Sequence, residues 1–304
     1  MNLLIVGSAG QVGSELIRAC PKDWQMHAVD RRQMDMTDPA AIASVVSSVK
    51  PGIIVNATGY TAVDRAELEP EVAMKVNRDG VSILAQEAKR RGSTLIHYST
   101  DYVFDGLKPE PYQPDDASNP QSAYARSKHE GELAVRSSGV RHVILRTQWV
   151  YGLHGRNFVL AIVKQAMKRP ELRIVNDQIG APTWSRSIAR ATIDIIKAGM
   201  ENRDGTYHLV CGGSTTWFDF AKTVFDELNV RVPGSPMPHI TPVSTAQYGA
   251  PAKRPAHAVL DCRNTEATFG VRMPHWHDAL LEMMSDVSAL RALLANASTE
   301  ARPV

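Results

Sequence analysis

A tyrosine and a lysine four residues apart form the first pattern in this sequence that could carry chemistry. Tyr124 and Lys128 stand in the segment YARSK, and residues i and i+4 lie on one face of a helix. An ammonium group near a phenol favours the phenolate, so the spacing predicts that Lys128 lowers the pKa of Tyr124 and fits it for proton transfer near neutral pH. A surface pair is the alternative interpretation, and the place of the pair in the chain favours catalysis.

Hydroxyl and carboxyl groups follow an upstream apolar run. Ser99, Thr100 and Asp101 come directly after the run TLIHY, which predicts a strand. Ligands of open α/β sheets bind beyond the carboxyl ends of the strands. A Thr100 hydroxyl at that edge could bond a substrate carbonyl and share a proton with Tyr124. A capped turn is the alternative interpretation.

Three glycines stand near the start of the chain. Gly7, Gly10 and Gly13 follow a short apolar run and open a helical pattern. Glycine at such positions permits a tight turn, close approach of the backbone to a diphosphate, and close packing of helix on sheet. The helix N-terminus adds free N–H groups and a partial positive charge. The pattern predicts a dinucleotide site, with a plain strand–helix turn as the alternative.

The end of the second predicted strand bears on the choice of cofactor. Asp30 stands there and is followed by Arg31 and Arg32. An acid at this place bonds the ribose hydroxyls of NAD, whereas an arginine nearby accommodates the phosphate of NADP. The residues do not decide between NADPH and NADH.

Strands and helices that alternate along the chain must position these residues. Continuous apolar strands that alternate with helices predict a parallel sheet covered on both faces. We therefore expect an α/β fold, a Rossmann-type doubly wound parallel sheet with a smaller, mostly C-terminal substrate-binding domain. The predicted dinucleotide-binding domain comprises residues 1–152 and about 185–211, and the predicted substrate-binding domain about 153–184 and 212–304.

Two local signals refine this expectation. Asp38 followed by Pro39 predicts the N-cap and first position of a helix. Residues 231–259 contain six prolines and few periodic signals, which predicts mostly loop.

Composition narrows the class of protein. Among 304 residues the formal net charge is +2 and both signs are scattered, so neither nucleic acid nor a membrane is expected as a partner. The three cysteines are sparse, which fits a reducing compartment. No apolar run reaches the length of a membrane-spanning helix, and the N-terminus lacks the features of a signal peptide. We expect a soluble, cytoplasmic protein.

Seven segments in one order resemble a known enzyme family. They are GSAGQVG, NATGYTAVDRAE, IHYSTDYVFDG, YARSK, RTQWVYG, DQIGAPT and RPAHAVLD. The set resembles the dTDP-4-dehydrorhamnose reductases, an atypical branch of the extended short-chain dehydrogenase/reductases, from residue 1 to about 283. The resemblance implies reduction of the C4 ketone of dTDP-4-dehydro-L-rhamnose by NADPH or NADH, giving dTDP-L-rhamnose for cell-surface polysaccharide.

Other functions stay open at this point. One is the reduction of another nucleotide-linked 4-keto-6-deoxyhexose, and another is a non-catalytic subunit that binds a sugar nucleotide and NADP. Such subunits typically lose the tyrosine or the lysine, whereas this chain keeps Tyr124 and Lys128. An epimerase or a dehydratase is a further alternative, which Asp101 after Thr100 keeps open.

Roles for individual residues follow from the motifs and the resemblance. Catalysis is assigned to Tyr124, Lys128 and Thr100. Cofactor contacts are assigned to Gly7, Gly10, Gln11, Val12, Gly13, Asp30, Arg31, Asp35, Met36, Gly59, Tyr60, Thr61 and Lys128. Substrate contacts are assigned to Thr61, Val63, Thr100, Asp101, Phe104, Tyr124 and Trp149.

The sequence departs from the family pattern at two places, and the resemblance raises the question of a metal site. Ala125 follows the tyrosine where the family often has glycine, and Thr58-Gly59 follows Ala57 where the family often has a second alanine. Some members bind Mg²⁺ through glutamates at a dimer interface, and Glu15 could match one ligand. The other ligands cannot be placed, so the residues do not support a metal site, and a homodimer is left open.

Overall fold

Twelve strands and thirteen α-helices occur in the computed structural model, which describes residues 1–299. Residues 300–304 of the predicted substrate-binding domain therefore lie outside the described residues. The strands are β1 (Asn2–Val6), β2 (Gln25–Val29), β3 (Ile53–Asn56), β4 (Thr94–Thr100), β5 (Arg141–Thr147), β6 (Val150–Tyr151), β7 (Glu171–Val175), β8 (Ile179–Gly180), β9 (Thr183–Trp184), β10 (Gly205–His208), β11 (Thr215–Thr216) and β12 (His239–Val243).

The helices alternate with the strands in the first half and predominate later. They are α1 (Gln11–Ala19), α2 (Pro39–Val49), α3 (Val63–Ala66), α4 (Pro70–Met74), α5 (Gly80–Arg91), α6 (Ala123–Ser138), α7 (Phe158–Ala166), α8 (Ser185–Ala198), α9 (Trp217–Arg231), α10 (Thr245–Tyr248), α11 (Arg263–Phe269), α12 (Trp276–Met284) and α13 (Val287–Thr299). No helix within the described residues is long and apolar enough to cross a membrane.

Six strands form one parallel sheet in the order β10-β5-β4-β3-β1-β2. Side chains alternate between the two faces of a strand, so Leu3 and Ile5 pack under α1 and α8, whereas Leu4 and Val6 pack under α2, α5 and α6. Both faces are thus covered by helices. The predicted doubly wound α/β sheet is confirmed.

The order of the strands also locates a ligand site. From β1 the chain runs outward to β2 and then returns to the other side of β1 with β3. The crevice beyond the carboxyl ends of strands at such a reversal is where open sheets bind ligands. The loop after β1, the segment after β3 and the end of β4 all meet there.

A second apolar core is built from the later part of the chain. It joins β7, α7, α9 and α12 around fully buried rings such as Phe220 and Tyr151. Between these elements, β10 returns to the main sheet and pairs with β5. The exact boundaries of the two predicted domains remain a prediction.

Most of the segment 231–259 lies outside helices and strands, as expected, but two short elements in it were not predicted. This segment contains β12, which pairs in parallel with β7 from His239 to Val243, and the short helix α10. Pro242 lies within β12 because that strand has only one neighbour, and an edge strand tolerates proline. Local sequence signals cannot show such a pairing, since its partner is far away in the chain.

Candidate functional site

A cleft of about 540 Å³ opens at the carboxyl ends of β1, β3, β4 and β5. It brings together eleven of the residues singled out in the sequence. They are Gly10, Gln11, Val12, Gly59, Thr61, Val63, Thr100, Asp101, Tyr124, Lys128 and Trp149. The remaining candidates lie around the cleft or in the core, as described below.

The glycine turn shapes one end of the cleft. Gly7 has φ +89°, and a Cβ on Gly13 would come within 2.1 Å of the Gly7 carbonyl oxygen. These two residues therefore allow α1 to start close against β1. Gly10 is the N-cap of α1 and provides no side-chain cap, so the first N–H groups of the helix stay available to an anion. The turn fits a diphosphate.

The predicted adenosine end is held together by ion pairs. The Asp30 carboxylate accepts from the Arg32 guanidinium at 2.8 Å, and Arg31 pairs with Asp35 at 3.1 Å. The bonds from Arg32 are the main cause of the lowered pKa of Asp30. Both arginine side chains are at least 81% exposed. The sequence showed the two arginines and the two acids, but not which arginine pairs with which acid.

Met36, Tyr60 and Phe104 are not among the residues that line the cleft. Met36 is only 4% exposed and packs in the core. The Tyr60 hydroxyl donates to Glu69 at 2.6 Å. Phe104 is fully buried and stacks on Tyr112 with 4.2 Å between ring centroids. A substrate contact by Phe104 is therefore not supported, because its ring is sealed inside a separate apolar cluster.

Tyr124 enters the cleft from the first turn of α6. The Ser122 hydroxyl caps this helix by accepting from the backbone N–H of Ala125 at 3.2 Å, which fixes where the helix begins. Burial raises the pKa of Tyr124 to about 12; the Thr100 side chain acts to lower this pKa, and the charge of Asp101 acts to raise it. The predicted lowering of this pKa by Lys128 is thus wrong, since burial dominates.

Lys128 is aimed at the end of β4 instead of at Tyr124. Its ammonium donates to the Tyr98 carbonyl oxygen at 2.6 Å and lies 3.4 Å from His97 Nε2. Burial lowers the pKa of Lys128 to about 8. His97 is completely buried, and its Nδ1 is 3.1 Å from the Asn56 side-chain amide. His97 was not among the residues predicted for the site, although it precedes Tyr98 in the segment IHYSTD.

Asp101 is a nearly inaccessible carboxyl at the edge of the cleft. It is 1% exposed, and its Oδ1 lies 3.0 Å from the Thr100 hydroxyl. The Gln148 side-chain amide donates to the other carboxyl oxygen at 3.3 Å, and its own oxygen accepts from the Ala181 N–H. Burial raises the pKa of Asp101 to about 7. Gln148, which follows β5, was not among the residues predicted for the site.

Two tryptophans form the opposite wall. Trp149 and Trp217 stack with ring centroids 3.6 Å apart, and both line the cleft. A Cβ on Gly180 would lie 2.7 Å from the Trp149 indole, so this glycine in the segment DQIGAPT makes room for the ring. Trp217 begins α9 and was missed, because its sequence position is far from Trp149. The second core therefore reaches the cleft.

Glu15 does not form a metal site with its neighbours. Its buried carboxylate pairs with Arg186 at 2.9 Å and with Arg18 at 3.2 Å. Two guanidinium groups already neutralise the charge that a cation would need. Within residues 1–299 no cluster of three or more His, Cys, Asp or Glu side chains could hold a metal. The residues around Glu15 do not fit Mg²⁺.

Comparisons with known proteins identify the family. The RmlD substrate binding domain profile matches residues 1–289. The dTDP-4-dehydrorhamnose reductase of Burkholderia thailandensis is 40% identical over 289 residues, covering 92% of this chain and 97% of that protein. The chain belongs to the dTDP-4-dehydrorhamnose reductase family. The family resemblance predicted from the motifs is therefore confirmed.

Further relatives cover almost the whole chain. The dTDP-4-dehydrorhamnose reductase of Escherichia coli K12 is 38% identical and covers 96% of this chain and 100% of that protein. The crystal structure of the enzyme from Clostridium acetobutylicum superposes with a TM-score of 0.88 at 34% identity, covering 95% and 100% of the two chains. The Bacillus anthracis enzyme, solved in complex with NADP, superposes with a TM-score of 0.87 at 32% identity, covering 93% and 98%.

Proposed function

We propose that this member of the dTDP-4-dehydrorhamnose reductase family is an NAD(P)H-dependent oxidoreductase that reduces the C4 ketone of dTDP-4-dehydro-L-rhamnose to give dTDP-L-rhamnose. The observation that carries the proposal is the meeting of Tyr124, Thr100 and Lys128 with the glycine turn in one cleft. The proposal also agrees with the names of the relatives.

The cofactor has a defined place in this proposal. When bound, NADPH or NADH supplies the hydride. Gly10, Gln11 and Val12 at the start of α1 would hold the diphosphate, with Gly7 and Gly13 shaping the turn. The Bacillus anthracis relative was solved in complex with NADP, which supports a nicotinamide dinucleotide as the cofactor. The adenosine side would lie toward Asp30, Arg31, Asp35 and Met36, and the nicotinamide side toward Gly59, Tyr60 and Thr61.

Tyr124 is the proposed proton donor to the C4 oxygen. A pKa of about 12 keeps its phenol protonated at neutral pH, which is the state that a reduction requires. The Thr100 side chain lowers the pKa of Tyr124 and, from its place in the same cleft, would bond the substrate carbonyl. Lys128 lies one helical turn along α6 and would bind the ribose through an N–H that it does not donate to the Tyr98 carbonyl.

The sugar nucleotide would occupy the rest of the cleft. Thr61, Val63, Asp101 and Trp149 also line the cleft. Trp149 offers an aromatic face, and such faces bury large areas of a ligand. No contact is proposed for Phe104.

The consumption of reduced cofactor with a substrate panel tests the function. The purified protein is mixed with NADPH or NADH and with dTDP-4-dehydro-L-rhamnose, other dTDP-linked 4-keto-6-deoxyhexoses, or their UDP counterparts, and absorbance is followed. We expect the highest kcat/KM for dTDP-4-dehydro-L-rhamnose. A higher value for another sugar nucleotide would assign the enzyme to that substrate, and no oxidation with any of them would favour the non-catalytic subunit.

Location and assembly are part of the same proposal. The three cysteines, Cys20, Cys211 and Cys262, are all unpaired, which agrees with a reducing cytoplasm. A homodimer remains a prediction. Light scattering coupled to size-exclusion chromatography distinguishes a monomer of 33.3 kDa from a dimer.

A further inference from the structure

A buried histidine lies between the lysine of the cleft and the end of β3. His97 Nε2 is 3.4 Å from the Lys128 ammonium nitrogen, and His97 Nδ1 is 3.1 Å from the side-chain amide nitrogen of Asn56, its register partner on β3. His97 and Asn56 are both fully buried, whereas Lys128 lines the cleft. What the ring presents to Lys128 depends on which of its two nitrogens carries the proton.

The orientation of the Asn56 amide decides the tautomer of His97. The backbone N–H of Thr58, which can only donate, lies 3.1 Å from Asn56 Oδ1, and the Thr58 hydroxyl donates to the same oxygen at 2.6 Å. The NH₂ group of Asn56 therefore points at His97 Nδ1, which must accept. Burial lowers the pKa of His97 well below its usual range, so the ring is neutral. Its proton is consequently on Nε2, the nitrogen nearer to Lys128.

An N–H group of His97 thus faces an ammonium group that is itself only a donor. The 3.4 Å between His97 Nε2 and Lys128 Nζ is longer than an ordinary hydrogen bond, whereas the Tyr98 carbonyl accepts from Lys128 at 2.6 Å. The described residues therefore give the ammonium one acceptor, and that acceptor takes one of its three N–H groups. The other two find no lone pair on the His97 side and stay available to a ligand in the cleft.

The charges near Lys128 do not capture these N–H groups. Glu132, one helical turn further along α6, is the acid that acts on the pKa of Lys128. Its carboxylate is bound by Arg146 and by Arg136, each at 2.8 Å. Burial lowers the pKa of Lys128 to about 8, so the ammonium form still predominates at pH 7.

We propose that His97, held by Asn56 as the Nε2–H tautomer, is a positioning residue that reserves the N–H groups of Lys128 for the ribose hydroxyls of a nicotinamide dinucleotide; this rests on the function proposed above. The ring acts by withholding an acceptor. With its proton on Nδ1 instead, the lone pair of Nε2 would accept from the ammonium, and Lys128 would be satisfied inside the protein. The Asn56–His97 pair thus leaves Lys128 ready for a ligand before one binds.

Two substitutions of His97 distinguish this role from a purely structural one. His97→Gln brings an amide oxygen to the ammonium, so the dissociation constant for NADPH, measured by its fluorescence, should rise about tenfold, the scale of one charge-assisted hydrogen bond. His97→Phe keeps a ring without an acceptor, so this constant should stay within about threefold of the wild type, although Tm falls because the buried Asn56 amide loses its partner. A purely structural role predicts the reverse order, since phenylalanine disrupts the buried hydrogen bonds more than glutamine does.

His208→Gln is the matched control. His208 is likewise fully buried, on β10, and is not among the residues that line the cleft. This variant should lower Tm and leave the dissociation constant for NADPH unchanged. Equal weakening of NADPH binding by His208→Gln and His97→Gln would mean that losing any buried histidine loosens the fold, and would overturn the inference.

Long-range ¹H–¹⁵N spectra of the wild type labelled with ¹⁵N-histidine determine the tautomer directly. The His97 signals are identified by their loss in the His97 variants. We expect a neutral ring with its proton on Nε2 between pH 6 and pH 9. A proton on Nδ1 would refute the inference even if a variant fails to fold. Neither measurement uses a sugar nucleotide, so the expected tautomer and order of affinities in a protein inactive on every substrate would refute the proposed reduction alone.

Discussion

Trp149 stacks on Trp217 with 3.6 Å between ring centroids and 14° between ring planes. Trp149 follows β5, whereas Trp217 begins α9 in the second core. The Trp217 indole N–H donates to the Gln178 side-chain oxygen at 3.2 Å. The stack therefore joins the two cores at the wall of the cleft. A ligand in the cleft meets an aromatic surface made by both.

The first prediction concerns this stack. Trp149→Ala should weaken binding of the dTDP-sugar by about 1–3 kcal/mol, the scale of losing an aromatic contact. Trp217→Ala should weaken it as well, because Trp149 loses the ring that supports it. Titration of NADPH by its own fluorescence should hardly change in either variant, with Trp149→Phe as the matched control. Equal loss of both ligands would mean that Trp149 is only a packing residue.

The second prediction concerns the proposed proton donor. Tyr124→Phe keeps the ring that packs edge-on against Tyr102 at 5.7 Å but removes the hydroxyl. Turnover should fall by about 10² or more, and the affinity for NADPH should stay within about twofold. Steady-state rates and cofactor titration measure the two effects. A variant with near-normal turnover would contradict the role of Tyr124.

Much of the sheet could be predicted from local sequence. The Asp38-Pro39 signal was correct, since Asp38 caps α2 by accepting from Ala40 N–H at 2.9 Å. The strand and helix order of the first half was predicted because apolar runs and caps are local features. The β7–β12 pairing was missed because it is decided by contacts between distant segments.

The candidate site was predicted only in part, because it too depends on contacts between distant segments. Motif spacing identified the residues of the cleft, but not the electrostatics between them. The pKa of Tyr124 depends on burial and on Asp101, and the direction of the Lys128 ammonium depends on the Tyr98 carbonyl. Spacing in one helix contains neither quantity. Phe104 was assigned to the substrate because its motif does not show that its ring stacks on Tyr112 and is buried there.

The third prediction concerns Mg²⁺. Because Arg186 and Arg18 already occupy the Glu15 carboxylate, neither EDTA nor added Mg²⁺ should change the Tm or the oligomeric state. Glu15→Gln should lower the free energy of unfolding by about 1–2 kcal/mol, less than for a fully buried pair, since the arginines are partly exposed. Thermal unfolding with and without Mg²⁺ measures both effects. A rise of Tm with Mg²⁺ that Glu15→Gln abolishes would establish a metal site.

The fourth prediction concerns stability in acid. His208 is completely buried, and burial lowers its pKa to about 3, whereas in the unfolded chain it is about 6.5. Between these values the unfolded state binds the extra proton, so this contribution to stability is present above pH 6.5 and is lost as pH falls. At pH 5 the loss is roughly 2 kcal/mol for one such group.

Urea unfolding at pH 7 and pH 5 checks this contribution. His208→Gln should lower stability at pH 7 but lose less than the wild type on acidification. The exposed His239 provides the control, and His239→Gln should follow the wild type. Equal acid sensitivity of the wild type and His208→Gln would show that other groups determine it.

The fifth prediction concerns the choice between NADPH and NADH. Asp30 favours a free ribose hydroxyl, while Arg31 and Arg32 could contact a 2′-phosphate, and the two arginines are paired with different acids. A charge-assisted contact to the phosphate contributes about 1.5–3 kcal/mol, and repulsion by Asp30 opposes it. We expect a preference of no more than about tenfold, which corresponds to about 1.4 kcal/mol.

Arg32→Ala leaves the Asp30 carboxylate without its partner and should shift kcat/KM toward NADH, whereas Asp30→Ala should shift it toward NADPH. Arg31→Ala removes the other candidate contact to the phosphate but leaves the Arg32–Asp30 pair intact, so the two variants separate the arginines. A wild-type preference above a thousandfold in either direction would contradict this balance, and unchanged ratios in both arginine variants would mean that Asp30 alone discriminates.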